Sequence, residues 1–106
     1  MKESEMHRTA DLVSRYMMLT KEVMPKMARE GAANWPVRND HCFQRIVLDN
    51  VCGGPWFDHI ARPAYKNLSR DQAMRALRLC ESIVEGRENL VKLNNKSLIW
   101  RGKPVR

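Results

Sequence analysis

Residues that can hold or move charge gather between Trp35 and Tyr65. His41, Arg45 and Asp49 fall at i, i+4 and i+8, which is one polar stripe if the segment is helical. Asp58 and His59 follow, then Arg62 and Tyr65. Two of the three tryptophans, two of the three histidines and two of the three cysteines lie in this stretch. Such a set supports two kinds of chemistry. In the first, His41 or His59 is a general base and Arg45 or Arg62 grips an anion; His41, Arg45, Asp49 and His59 are then the catalytic candidates of a small acyl- or alkyl-transfer enzyme. In the second, Arg45 pairs with Asp49 one turn on, His41 shares the network, and the group holds the following loop against its helix.

Several other chemistries are excluded by spacing. Adjacent helical residues point in different directions, so Cys42 beside His41 is not a thiol–imidazole pair. His41, His59, Cys42 and Cys52 follow no metal-ligand spacing, and no metal or cofactor is expected. Gly53-Gly54-Pro55 is too short for a phosphate loop and lacks the Lys-Ser/Thr that would follow. Cys42, Cys52 and Cys80 are odd in number and lack a C-x-x-C pair, which fits a reducing compartment better than a disulfide framework.

The second feature is charge. The chain has 106 residues, 19 Lys and Arg against 12 Asp and Glu, and a formal charge of +7. That balance excludes an acidic nucleic-acid mimic and leaves anionic partners open. The excess is local, because residues 87–106 hold six basic residues and only Glu88 as an acid. Lys92, Lys96, Arg101, Lys103 and Arg106, with Trp100 among them, can neutralise phosphates and stack on bases, so DNA or RNA is the expected partner. The bland alternative is a solvated helix face whose cations complement the helix dipole. No helix-turn-helix, zinc-finger or RNA-recognition pattern accompanies the charge.

Those residues need elements to carry them, and the pattern is helical nearly throughout. Between Ser4 and Arg29, Leu12, Tyr16, Leu19, Val23 and Met27 recur at steps of four and three, with Met6, Val13, Met17 and Met24 beside them. Pro25 predicts a kink or break near Met24. Met6, Met17, Met18, Met24 and Met27 also offer an adaptable apolar surface for a protein partner or a second copy of the chain. Pro36 predicts extended backbone at Trp35. Asn39 or Asp40 caps a second helix to about Cys52, burying Phe43, Ile46, Val47 and Val51, with Gly53 as its stop. The chain from Gly53 to Leu68 reads as an irregular loop with one short turn at Trp56 to Ala61. Ser69-Arg70-Asp71-Gln72 is a capping box that opens a third helix running to Glu85. A fourth runs from Glu88 to about Ser97 with Leu90, Leu93 and Val91 inward, and residues 100–106 form a loose basic tail.

Trp35 to Asn50, Arg62-Pro63-Ala64-Tyr65 and Leu93 to Lys103 together resemble a group of small microbial proteins named as related to GCN5-type N-acetyltransferases. The resemblance covers most of the chain after Gly31. The name implies acyl transfer on a mixed sheet with a Gln/Arg-x-x-Gly-x-Gly/Ala loop for acetyl-CoA. No such loop stands in this sequence, so no acetyl-CoA residue is carried over.

The reading is a single all-α domain over 1–106, a bundle of about four helices with the irregular loop between the second and third. Its expected function is a small basic binding module that contacts nucleic acid through the C-terminal segment; the enzyme and the protein-interaction module are the alternatives. No run approaches the length of a membrane span, and Glu3 and Glu5 stand where a secretory signal needs a basic, apolar start. A cytoplasmic location, or a nuclear one in a eukaryote, is expected.

Overall fold

The computed structural model describes residues 8–31 and 34–105. Among them every regular element is helical and no strand occurs, so the all-α expectation holds. The elements are α1 (Thr9–Met18), a π-helical turn (Leu19–Val23), α2 (Met24–Arg29), α3 (Asp40–Cys52), a 3-10 turn (Trp56–Asp58), α4 (Ala64–Asn67), α5 (Arg70–Val84) and α6 (Leu90–Trp100). Of the residues singled out above, Glu3, Ser4, Glu5, Met6 and Arg106 lie outside the described residues. No described helix is long and apolar enough to cross a membrane.

Pro25 does not break the first helix. Proline withholds the donor that the carbonyl four residues back would use. The chain answers by lengthening its register: the Met24 amide donates to the Leu19 carbonyl five residues back, and Leu19, Val23 and Met24 keep right-handed helical angles. A π turn therefore carries the helix past Pro25 without the break expected near Met24. Thr20, in that turn, is fully buried; its hydroxyl donates to the Tyr16 carbonyl at 3.0 Å and accepts from Gln44 of α3 at 3.1 Å.

The helix α3 is the centre of the domain. It packs against α2 and the π turn, against α5 and α6, and against the 3-10 turn, while α1 lies along α5. Its Phe43, Ile46, Val47, Leu48 and Val51 are buried, which the helical spacing makes legible. Gly53 stops it in the left-handed region at φ 74°, donating to the Asp49 carbonyl at 2.8 Å. Asn39 is the N-cap by backbone only; the Asp40 carboxylate accepts the His41 amide at 2.8 Å instead. The capping box at α5 is present, with Ser69 accepting the Gln72 amide and Gln72 accepting that of Ser69.

Four expectations need correction. The loop after α3 is less irregular than its composition implies, because Ala64–Asn67 forms a short helix directly after Pro63. The last helix starts at Leu90, where Asn89 caps the Lys92 amide, and runs to Trp100 rather than to Ser97. Val91 faces solvent, since it lies off the side of α6 on which Leu90, Leu93, Asn94, Ser97 and Leu98 are buried. The segment after Trp100 is not loose as far as Lys103: Gly102, at φ 70°, donates to Ile99 at 2.9 Å and Lys103 to Leu98 at 2.8 Å. Those two bonds are a Schellman close, which satisfies the last carbonyls of α6.

The methionines are divided between the interior and the surface. Met24 is fully buried, Met17 and Met27 are half-buried, and Met18 is exposed.

Two buried acids make the core sensitive to alkali. Burial, helped by the Glu81 carboxylate, pushes the Cys80 thiol from its ordinary 9.0 up to about 12. Burial and then the neighbouring Cys80 raise the Tyr16 hydroxyl above its ordinary 10.0. Both groups fold in the neutral form, so the native state holds protons that the unfolded chain releases. The expected result is stability that is complete below about pH 9 and falls as pH rises towards 12. A denaturant midpoint followed across that range checks it; Cys80→Ala should make the decline shallower, and an equal decline in both proteins counts against the assignment.

Candidate functional site

Asp49 is the hub, and it is fully buried on α3. The carboxylate accepts four hydrogen bonds. Ser97 Oγ donates to Oδ2 at 2.7 Å, Arg101 Nε to Oδ2 at 2.7 Å, Arg101 Nη2 to Oδ1 at 3.0 Å, and the Trp56 amide to Oδ1 at 2.9 Å. Arg101 thus grips it with a two-pronged fork, the strongest geometry available to such a pair. The Trp56 bond pins the 3-10 turn onto the end of α3, and the Arg101 guanidinium lies 5.1 Å from the centre of the Phe57 ring. Asn50 adds a second tie, donating to the Leu93 carbonyl of α6 at 3.0 Å.

Arg45 does not pair with Asp49, contrary to the i, i+4 expectation. Its Nη1 donates to Ser97 Oγ at 2.7 Å and its Nη2 to Asn94 Oδ1 at 2.8 Å. Ser97 stands between the two, accepting from the arginine and donating to the carboxylate. The reason is tertiary. α6 brings a whole guanidinium to Asp49 from Arg101, while Asn94 and Ser97 on the same helix face occupy Arg45. Both partners of Arg45 are neutral, and among the described residues no carboxylate forms an ion pair with it.

The other predicted site residues are scattered. The His41 side chain is 88% exposed, with Asp40 beside it at 3.3 Å, and it makes none of the hydrogen bonds to Asp49. His59 is exposed and folds back on Gly54, where an added Cβ would meet its Nε2 at 3.6 Å. His41, Arg45, Asp49 and His59 therefore do not converge on one reacting centre. Of the C-terminal set, Arg101 is held by Asp49 with its side chain 19% exposed, whereas Lys92, Lys96 and Lys103 are exposed. Trp100 is 37% exposed beside Ile99 at 63%. Asn94 and Ser97 belong to the site although nothing in their residue types points to it, and Arg101 belongs to it rather than to the basic tail. Their spacing of three and four, which puts all three on one face of α6, is the trace this site leaves in the sequence.

A cleft of about 510 Å³ opens above this network, between the first helix, α3 and the loop carrying Arg62 to Tyr65. Arg45, Arg62 and Arg101 line it, with Trp56, Tyr65 and Leu48 as apolar wall and His41 at its edge. No aspartate or glutamate lines it. Arg62 is exposed and lies over two rings, 5.7 Å from the centre of Trp56 and 5.1 Å from that of Phe57. Cation–π contact positions the guanidinium without neutralising it. Of the three arginines only Arg101 has its charge cancelled. No group of three or more His, Cys, Asp or Glu suited to a metal occurs among the described residues. No family model, no curated protein and no solved structure shows significant similarity to this chain.

Proposed function

We propose that the protein is a small binding module whose cleft takes an anionic group between Arg45 and Arg62, with the apolar body of the ligand against Trp56 and Tyr65. The observation that carries this reading is the electrostatics of Arg45. It is half-buried, its partners are neutral, and the cleft around it holds no acid. A partly desolvated cation whose nearest carboxylate, Asp49, stands behind Ser97 and is already paired with Arg101 still favours an incoming anion, because a charge-assisted bond there contributes about 1.5–3 kcal/mol. Ser97 and Asn94 hold the guanidinium in place beforehand, which lowers the entropy lost on binding.

The test is calorimetric titration with inorganic phosphate and with thymidine monophosphate at low salt. Saturable binding that weakens with salt is expected, the nucleotide binding more tightly than phosphate because its ring covers apolar wall. Arg62→Ala should lower affinity about tenfold or more and leave stability within about 0.5 kcal/mol, since Arg62 is exposed. Binding that is indifferent to Arg62→Ala, or absent for both probes, rejects the reading.

A second reading is favoured by the outer face of α6, where exposed Ile99 and Trp100 stand with Lys92 and Lys96. This is nucleic-acid backbone contact through Lys92, Lys96, Trp100 and Lys103. Duplex DNA bound this way would show a logarithmic salt slope near −0.9 for each phosphate contacted. The commitment of Arg101 to Asp49 takes one cation out of that set.

A further inference from the structure

The cleft does not end at Arg45. A second concavity of about 280 Å³ lies on the far side, lined by Pro36, Val37, Arg38 and Asn39 with Asn94 and Leu98 of α6. Cys42 and Arg45 line both hollows, so the two are neighbours across these side chains, a groove in two parts along the first turn and a half of α3. No aspartate or glutamate lines either part. Arg38 is exposed in the second hollow, and among the described residues it has no ion pair. Among the described residues, cations with no direct ion pair therefore stand at one end (Arg62), at the middle (Arg45) and at the other end (Arg38).

We infer that the groove binds a short single-stranded stretch of nucleic acid, with one phosphate at Arg45, a neighbouring phosphate at Arg38, and a base against Trp56 and Tyr65. This rests on the anion reading of the cleft and extends it to a ligand carrying more than one negative charge. Three separated cations match a linear polyanion better than a single compact anion, which could meet only those of one hollow. The aromatic wall supplies what a phosphate chain alone does not need: a π-face that accepts any base. A duplex keeps its bases stacked on one another and so offers no free base to Trp56 and Tyr65.

The experiment compares thymidine monophosphate with a six-nucleotide oligothymidylate, on the full chain at low salt. The oligomer should bind at least about tenfold more tightly than the mononucleotide, since each added phosphate contact is worth that much. Arg38→Ala should lower oligomer affinity about tenfold and leave the mononucleotide within about twofold, whereas Arg62→Ala should weaken both. Replacing Lys92 and Lys96 together by alanine should leave the oligomer within about twofold. Equal affinity for the two ligands, or an oligomer indifferent to Arg38→Ala, overturns the extended groove while leaving the anion reading in place. Loss of oligomer binding in the Lys92/Lys96 variant with Arg38→Ala silent moves the contact to the outer face of α6. Absence of binding by monophosphate and oligomer alike rejects both readings. Arg38 and Arg62 are exposed, so circular dichroism of the variants should match that of the parent and separate lost binding from lost folding.

Discussion

Asp49→Ala should destabilise the domain by about 3–5 kcal/mol, the range for removing one partner of a buried ion pair. The loss is large because the carboxylate serves three segments at once. It neutralises Arg101 beyond the end of α6, accepts the Ser97 hydroxyl, and accepts the Trp56 amide that starts the 3-10 turn. With the carboxylate gone, a largely buried guanidinium has no counter-charge and a buried hydroxyl loses its acceptor. Against a total stability of about 5–15 kcal/mol for a domain of this kind, the change is severe. Asp49→Asn keeps the shape and one acceptor oxygen but removes the charge, and should still cost a large part of that amount. The measurement is chemical denaturation of Asp49→Ala, Arg101→Ala and the double variant. The double variant should fall short of the sum of the singles by about 0.5–3 kcal/mol, the range for directly coupled residues. Additive singles, each under about 1 kcal/mol, would show that the pair is not the anchor described here.

Phe43→Ala should cost a similar amount, about 3–5 kcal/mol, for a different reason. The ring is fully buried in the first turn of α3, and Trp35 meets it edge-on with centroids 5.6 Å apart at 67°. Truncation loses the transfer free energy of the ring and leaves a cavity that the packed neighbours cannot fill. It also removes the surface on which Trp35 rests, so the near-ultraviolet dichroism of the tryptophans should change with the stability. Phe43→Leu, which keeps most of the volume, should cost less than about 1.5 kcal/mol. A Phe43→Ala protein within about 1 kcal/mol of the parent would contradict the packing described.

The two results probe different levels of legibility. Phe43 is readable as core from its place in the stripe with Ile46, Val47 and Val51, because helical periodicity is a local property of the chain. Asp49 is readable as important from its type and its spacing from Arg45, but its partner is not. A helix offers each residue neighbours at i+3 and i+4, and the i, i+4 pair is the only ion pair that spacing alone can nominate. Arg101 lies fifty-two positions away, and only the packing of α6 on α3 brings it to the carboxylate.

The helical class, the core stripe of α3, the Gly53 stop, the capping box of α5 and the charge excess after residue 86 are legible in the chain alone. Each depends on interactions within a turn or two, so the residues responsible are neighbours in the chain. The π turn that accommodates Pro25 was decided beyond that range, since whether a proline breaks a helix or lengthens its register depends on what packs around it. The sorting of the arginines was decided by tertiary structure alone. Arg101 went to a buried carboxylate, Arg45 to two neutral partners, and Arg62 to the faces of two rings. A cation keeps or loses its power to bind an anion according to the charges around it, and those are set by segments distant in sequence. Composition can count arginines, but only packing distinguishes the one whose charge is cancelled from the two whose charge is not.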